Sequence, residues 1–178
     1  ACLVGSEMCI RDRLDTDHFF ALLRQNRLDG LLVPDLPFEE SVYLQQQCKK
    51  HGITYISLVA PTSESRIQKI TQQAEGFVYC VSSLGVTGVR NEFEDSVSSF
   101  IRSVKGMSSV PVAVGFGISS SKQVEMMNEL ADGVVVGSAL VRKIEELKDE
   151  LIAPETREQA LKAFEAYAKT FSGSHMVK

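Results

Sequence analysis

The sequence is poor in the residues that hold metals. Its three histidines and four cysteines (Cys2, Cys9, Cys48 and Cys80) include no CxxC pair, so no zinc-site spacing is present. No apolar stretch approaches the ~18–20 residues needed to cross a bilayer. The N-terminus lacks a basic segment followed by an apolar core, so no secretory signal is expected. Excess positive charge is also missing, the formal net charge being -4. A sequence-independent nucleic-acid binder needs a basic surface to displace counterions from phosphates, which argues against that class. A small anion remains open as a ligand, because backbone amides and helix ends hold one phosphate without net positive charge.

What is present suits one soluble globular domain: 178 residues, 44% hydrophobic and 24% charged. Cys80 sits inside an apolar run and reads as a buried strand residue. A reduced, cytosolic compartment is the simpler expectation for such cysteine usage.

From residue 28 onward, short apolar runs alternate with longer amphipathic segments. The runs are Leu28 to Val33, Ile53 to Val59, Gly76 to Val81, Val110 to Val114 and Asp132 to Val136. Each is rich in β-branched or aromatic residues and has strand length. Their near-continuous apolar character predicts burial on both faces, as in a parallel sheet. Between them lie helix starts. Pro37-Phe38-Glu39-Glu40 offers a proline and two acids to a first turn. Thr62 or Ser63 suits a cap before Ile67 and Ile70. Ser120 with Gln123 fits a capping box before Val124, Met127 and Leu130. Five strand-helix units in series imply βαβ crossovers and an α/β fold. A further helix is expected over Asp15 to Arg27. Residues 1–14 carry no pattern leading into the rest and read as a non-native or irregular segment, 15–171 as the domain, and 172–178 as a tail.

The chemistry-bearing residues sit where strands end. Ser82 to Gly88 (SSLGVTG) follows the third run, Gly115 to Ser119 (GFGIS) the fourth, and Gly137-Ser138-Ala139 the fifth. A glycine there lets a ligand approach the backbone. Gly137-Ser138 opens a helix, whose free N–H groups and positive dipole end suit a phosphate. The plainer reading is that these glycines only make tight strand-to-helix turns. GFGISS lacks the third glycine of a dinucleotide fingerprint, so a nucleotide cofactor is not indicated.

LLVPDLPFEES, YCVSSLGVTG, VAVGFGISSSKQV and GVVVGSALV, in this order and spacing, resemble the tryptophan synthase alpha chain family over about residues 15 to 170. The resemblance implies a (β/α)8 TIM barrel, present here as about five β/α units corresponding to strands 4 to 8. It implies a lyase that cleaves indole-3-glycerol phosphate to indole and glyceraldehyde 3-phosphate in tryptophan biosynthesis. It also implies a cytoplasmic location, or the plastid stroma for a plant or algal protein. No cofactor is implied for this chain, since pyridoxal phosphate belongs to the beta-chain partner of the heterotetramer. By the same resemblance Gly88, Gly117, Gly137 and Ser138 contact phosphate. Tyr79 and Phe116 lie near the indole and bound substrate, and Leu32 and Leu58 line the indole pocket. Thr87 belongs to a mobile loop closing over substrate, and Asp35 and Pro37 lie near the beta-chain interface. Each has a plainer reading: Tyr79 as a core tyrosine with a satisfied hydroxyl, Phe116, Leu32 and Leu58 as filling, Asp35 as a turn former, and Thr87 as surface.

The family's cleavage needs a glutamate as general acid/base and an aspartate that stabilises charge on the indole nitrogen. They belong to the second strand and the loop after it, in a motif like PFSDPxADGP. That motif does not occur in this sequence, and PDLPFEE is no substitute, because its acids begin a helix. The isolated chain is therefore expected to be inactive, since losing an acid/base alone costs ~10²–10⁴ in rate. Five strands also leave two unpaired edges, which invite association. Two alternatives stand beside this reading: another phosphate-binding barrel enzyme of the same pathway, and a non-catalytic module that binds the beta chain.

Overall fold

A computed structural model describes residues 15–81, 90–115 and 117–172, without the side chains of 90–95. The expectations for residues 1–14 and 173–178, Thr87, Gly88 and Phe116 lie outside the described residues. The chain divides into two compact units. One gathers Ala1–Tyr79 with Met107–Val110, the other Cys80–Gly106 with Pro111–Lys178.

In the first unit, α1 (Thr16–Gln25) places an acid in its first turn and Arg24 in its last, each matching the helix dipole. It buries Phe20 fully, and the Phe20 ring stacks on His51 with centroids 4.9 Å apart. Strand β1 (Gly30–Leu31) pairs in parallel with β2 (Thr54–Tyr55), Gly30 opposite Thr54 and Leu31 opposite Tyr55. Between them runs α2 (Val42–His51), whose Leu44 and Cys48, four residues apart, face the core. Phe20, Leu31, Val33, Leu44, Cys48, Ile53 and Tyr55 form that core. The acids after Pro37 do not open α2. They form a single 3-10 turn, Phe38–Glu40, and the fully buried Ser41 joins it to the helix. The Ser41 hydroxyl donates to the Phe38 carbonyl at 2.6 Å and accepts from Gln45 Nε2 at 2.6 Å. The second apolar run breaks at Ile56, so β3 (Ser57–Val59) is a separate strand. Helix α3 (Glu64–Gln73) begins after Ser63, as the capping signal predicts. The Ser63 hydroxyl, however, meets Ser65 Oγ at 3.3 Å and caps no backbone amide. Strand β4 (Val78–Val81) contains the division between the units, which falls after Tyr79.

The second unit holds α4 (Arg90–Met107), β5 (Val112–Gly115), α5 (Ser121–Asn128), β6 (Gly133–Val135), α6 (Ser138–Glu146), α7 (Lys148–Ile152) and α8 (Arg157–Lys169). Val97, Ile101 and Val104 recur at helical spacing on α4 and are buried. Strands β5 and β6 pair in parallel, with Ala113, Val114 and Gly115 opposite Gly133, Val134 and Val135. Asp132 ties their starts together. Its N–H donates to the Val112 carbonyl at 2.8 Å, and its Oδ2 accepts from the Val112 N–H at 3.0 Å. Its Oδ1 lies 3.1 Å from Lys105 Nζ, near the end of α4.

Burial corrects one expectation. The strand runs are not sealed on both faces. Leu31 and Val33 are buried while Leu32 is half-buried. Ser57 and Val59 are buried around a half-buried Leu58, and Val78 and Cys80 around Tyr79. Val112 and Val114 flank a half-buried Ala113 in the same way. Period-two side chains put alternate residues on opposite faces. Among the described residues these runs therefore alternate buried and half-buried positions.

Candidate functional site

The exits of β5 and β6 form the best-defined candidate. Because Gly115 is level with Val135 in the parallel register, Gly117 and Gly137 each stand two residues beyond a paired end. Neighbouring strands run ~4.8 Å apart, so the two glycine turns leave the same rim side by side.

The two turns differ chemically. Gly117 has φ +70, the left-handed region, which only glycine adopts without strain. Beyond it, α5 closes its own N-terminus with a full capping box. Gln123 Oε1 accepts from the Ser119 and Ser120 N–H groups at 2.9 and 3.1 Å, while the Gln123 N–H donates to Ser120 Oγ at 3.4 Å. Helix α6 has no such closure. Its N-cap is Gly137, which offers no side chain, and the Gly137 carbonyl takes the Leu140 and Val141 N–H groups at 2.9 and 3.1 Å. The first-turn N–H groups of Ser138 and Ala139 have no acceptor within the helix itself. No acid lies in that turn to offset the dipole. Gly137 has φ -118, open to any residue, and a Cβ built there meets nothing within 4 Å. The fold does not require glycine at 137, whereas it does at 117.

The other candidates lie in the first unit. Leu58 and Tyr79 occupy half-buried strand positions, and Leu32, half-buried as well, directly follows β1. Burial pushes the Tyr79 phenol above its ordinary value, so it stays protonated at neutral pH. Asp35 and Pro37 are exposed in the turn after β1. An apolar cavity of about 260 Å³ lies beside that turn, lined by Thr16, Phe19, Phe20, Leu36, Glu40, Tyr43 and Leu44. It is smaller than the ~300–1,000 Å³ usual for small-molecule pockets. Among the described residues no group of His, Cys, Asp or Glu side chains could hold a metal ion, and no helix is long and apolar enough to cross a membrane. Asp132, which fixes the alignment of the two glycine turns, was passed over by the sequence reading. Its only signal was an acid opening an apolar run.

Residues 11–174 match the sequence model of the family described as Tryptophan synthase alpha chain. Over 166 residues, 93% of this chain, it is 98% identical to the tryptophan synthase alpha chain of Bacillus licheniformis and 70% identical to that of Bacillus subtilis. The chain spans 62% of the length of each of these relatives. Among solved structures, a mutant tryptophan synthase alpha-subunit from Pyrococcus furiosus superposes with a TM-score of 0.71 at 33% identity, covering 90% of this chain and 61% of that one. Tryptophan synthase subunit alpha from Campylobacter jejuni gives 0.68 at 32% identity, covering 74% and 53%. These neighbours are TIM barrels, and the parallel strands alternating with helices here are part of such a barrel. The chain belongs to the tryptophan synthase alpha chain family.

Proposed function

We propose that this chain is the phosphate-gripping portion of an enzyme that cleaves indole-3-glycerol phosphate to indole and glyceraldehyde 3-phosphate, a lyase step in tryptophan biosynthesis. The observation that carries the reading is the uncapped N-terminus of α6 beside the Gly117 turn. The Gly117, Gly137 and Ser138 amides hold the phosphate, joined by Gly88. Leu32, Leu58, Tyr79 and Phe116 serve the indole end, and Thr87 serves the closing loop. The Tyr79 phenol, kept neutral by burial, contacts an uncharged ring without adding an anion.

The reaction breaks the carbon–carbon bond joining the indole ring to the glycerol phosphate. A proton is delivered to the ring carbon and another removed from the adjacent hydroxyl. No residue named here does either, so the 178-residue chain binds phosphate but has no turnover alone. It needs no cofactor of its own, and its location is cytoplasmic. One solved relative is described as the tryptophan synthase a2b2 complex of Pyrococcus furiosus. By analogy the exposed Asp35 and Pro37 turn faces a beta chain here.

The test is an amide-resolved NMR titration of the chain with inorganic phosphate, then indole-3-glycerol phosphate, alongside an assay for released indole. Shifts at Ser138, Ala139 and Gly117 with no indole released are expected. Phosphate shifts elsewhere, or indole turnover, would refute the reading.

A further inference from the structure

Among the described residues, one buried side-chain polar atom has no hydrogen-bond partner: Nε2 of His51. His51 is the last residue of α2, and its ring lies flat on the Phe20 ring of α1, with centroids 4.9 Å and planes 10° apart. Asp17, in the first turn of α1, brings its Oδ1 to 3.6 Å from that nitrogen, beyond hydrogen-bond length. A neutral imidazole is poorly served there. As a donor, Nε2–H stops short of the carboxylate; as a bare nitrogen, it turns a lone pair toward an anion. A protonated ring carries N–H on both nitrogens, and a rotation of the exposed Asp17 side chain closes the gap.

We propose that His51 is a pH-responsive latch, whose protonation draws Asp17 onto Nε2 and tightens α1 against α2. Three features of the junction favour the charged ring. The Asp17 carboxylate faces it, the end of α2 carries the negative pole of the helix dipole, and the Phe20 face accepts a cation. Two features oppose it. The His51 side chain is only 18% exposed, and burial disfavours charge. Lys50 of α2 shares Asp17 Oδ1 at 3.3 Å, but at 61% exposure its repulsion is screened by water. The latch is set in mild acid, below the ordinary imidazole value of about 6.5, and is released as pH rises past it. It involves no residue of the phosphate site, so its failure would leave that reading standing.

Urea unfolding of the 178-residue chain is compared with that of Asp17→Asn, His51→Phe and the double variant, at pH 5.5 and at pH 8. Phenylalanine keeps the stack on Phe20 and removes the titrating nitrogen, and the double variant cancels what each residue does alone. At pH 5.5 the pair should show a coupling of ~0.3 M in the urea midpoint, the size of a part-exposed ion pair, and at pH 8 none. Lys50→Gln should leave that pH difference in place. Should His51→Phe fail to fold by circular dichroism, His51→Gln replaces it. Hydrogen exchange gives a second readout: corrected for intrinsic rates, protection of the α1 amides should be greater at pH 5.5 than at pH 8 in the wild type and equal in the variants. Coupling of one size at both pH values, coupling at neither, or coupling larger at pH 8 would each overturn the proposal.

Discussion

Removing the Asp132 carboxylate should loosen the β5–β6 pair from the end opposite the glycine turns. The carboxylate makes two interactions that alanine cannot. One is the hydrogen bond from the Val112 N–H at 3.0 Å, the other the contact with Lys105 Nζ at 3.1 Å. A hydrogen bond to a charged group contributes ~1.5–3 kcal/mol. With the Asp132 side chain 43% exposed, solvent screening places this one at the low end. The ion pair, whose lysine is 45% exposed, adds ~0–1 kcal/mol. Asp132→Ala should therefore cost about 2 kcal/mol, or about 1 M in the urea midpoint for an m-value near 2 kcal/mol/M. Asp132→Asn, which keeps an acceptor for Val112, should cost about half as much. The Val112 N–H first, and Lys105 beside it, hold the carboxyl below its ordinary value. Because the folded value is the lower one, the stabilisation is complete above the ordinary carboxylate pKa of about 3.9. It is lost as pH falls through the folded value. The difference between wild type and Asp132→Ala should thus be level from pH 5 to 8 and shrink on further acidification. Equal urea midpoints at pH 7, or a difference that survives undiminished into strong acid, would refute the clamp.

The two glycines of the rim should separate on substitution. Gly117→Ala forces a side chain into the left-handed region and should cost ~1–2 kcal/mol in urea unfolding. Gly137→Ala should leave the urea midpoint nearly unchanged while weakening phosphate shifts at Ser138, since its Cβ meets no protein atom. Gln123→Ala should cost ~1 kcal/mol by reopening the α5 terminus, read from the same urea curves. Burial pushes the Cys80 thiol up to about 12 and Cys48 to about 11. Peptide mapping after alkylation at pH 8 should find both unmodified in the folded chain and modified in urea.

Some local signals in the sequence survived into the structure and others did not: the Ser120 box formed, whereas the Ser63 hydroxyl caps no amide. The capping box at Ser120 was legible because both its members lie within one turn. Cys80 was legible as buried because it sits inside an apolar run. The alternation of buried and half-buried positions along the runs was not. Leu32, Leu58 and Tyr79 are as apolar as their buried neighbours, so residue type does not separate them. The turn after β1 failed for a different reason. Pro37 and the two glutamates do form a helical turn, but Ser41 takes up the Phe38 carbonyl and ends it as 3-10. Asp132 escaped because its partners lie 20 and 27 residues away in sequence. The family motifs, by contrast, include the ends of β1, β5 and β6 and the residues that follow them.

On the proposed reading, the unequal closure of the two helix starts decides where an anion settles. At α5 a ligand would have to displace Gln123 from the Ser119 and Ser120 amides, giving up two bonds to gain two. At α6 no side chain caps the first turn, and no acid in that turn repels an anion. The dipole end contributes ~0.3–1 kcal/mol at an exposed site, so it directs the anion and holds it weakly. Backbone donors of this kind serve any tetrahedral oxyanion, so sulfate should compete with phosphate almost evenly. On the proposed reading, selection of one phosphate ester over another comes from contacts to its organic part, which add apolar area without changing charge. That division of labour predicts that inorganic phosphate and indole-3-glycerol phosphate move the same amides, with the ester needing the lower concentration.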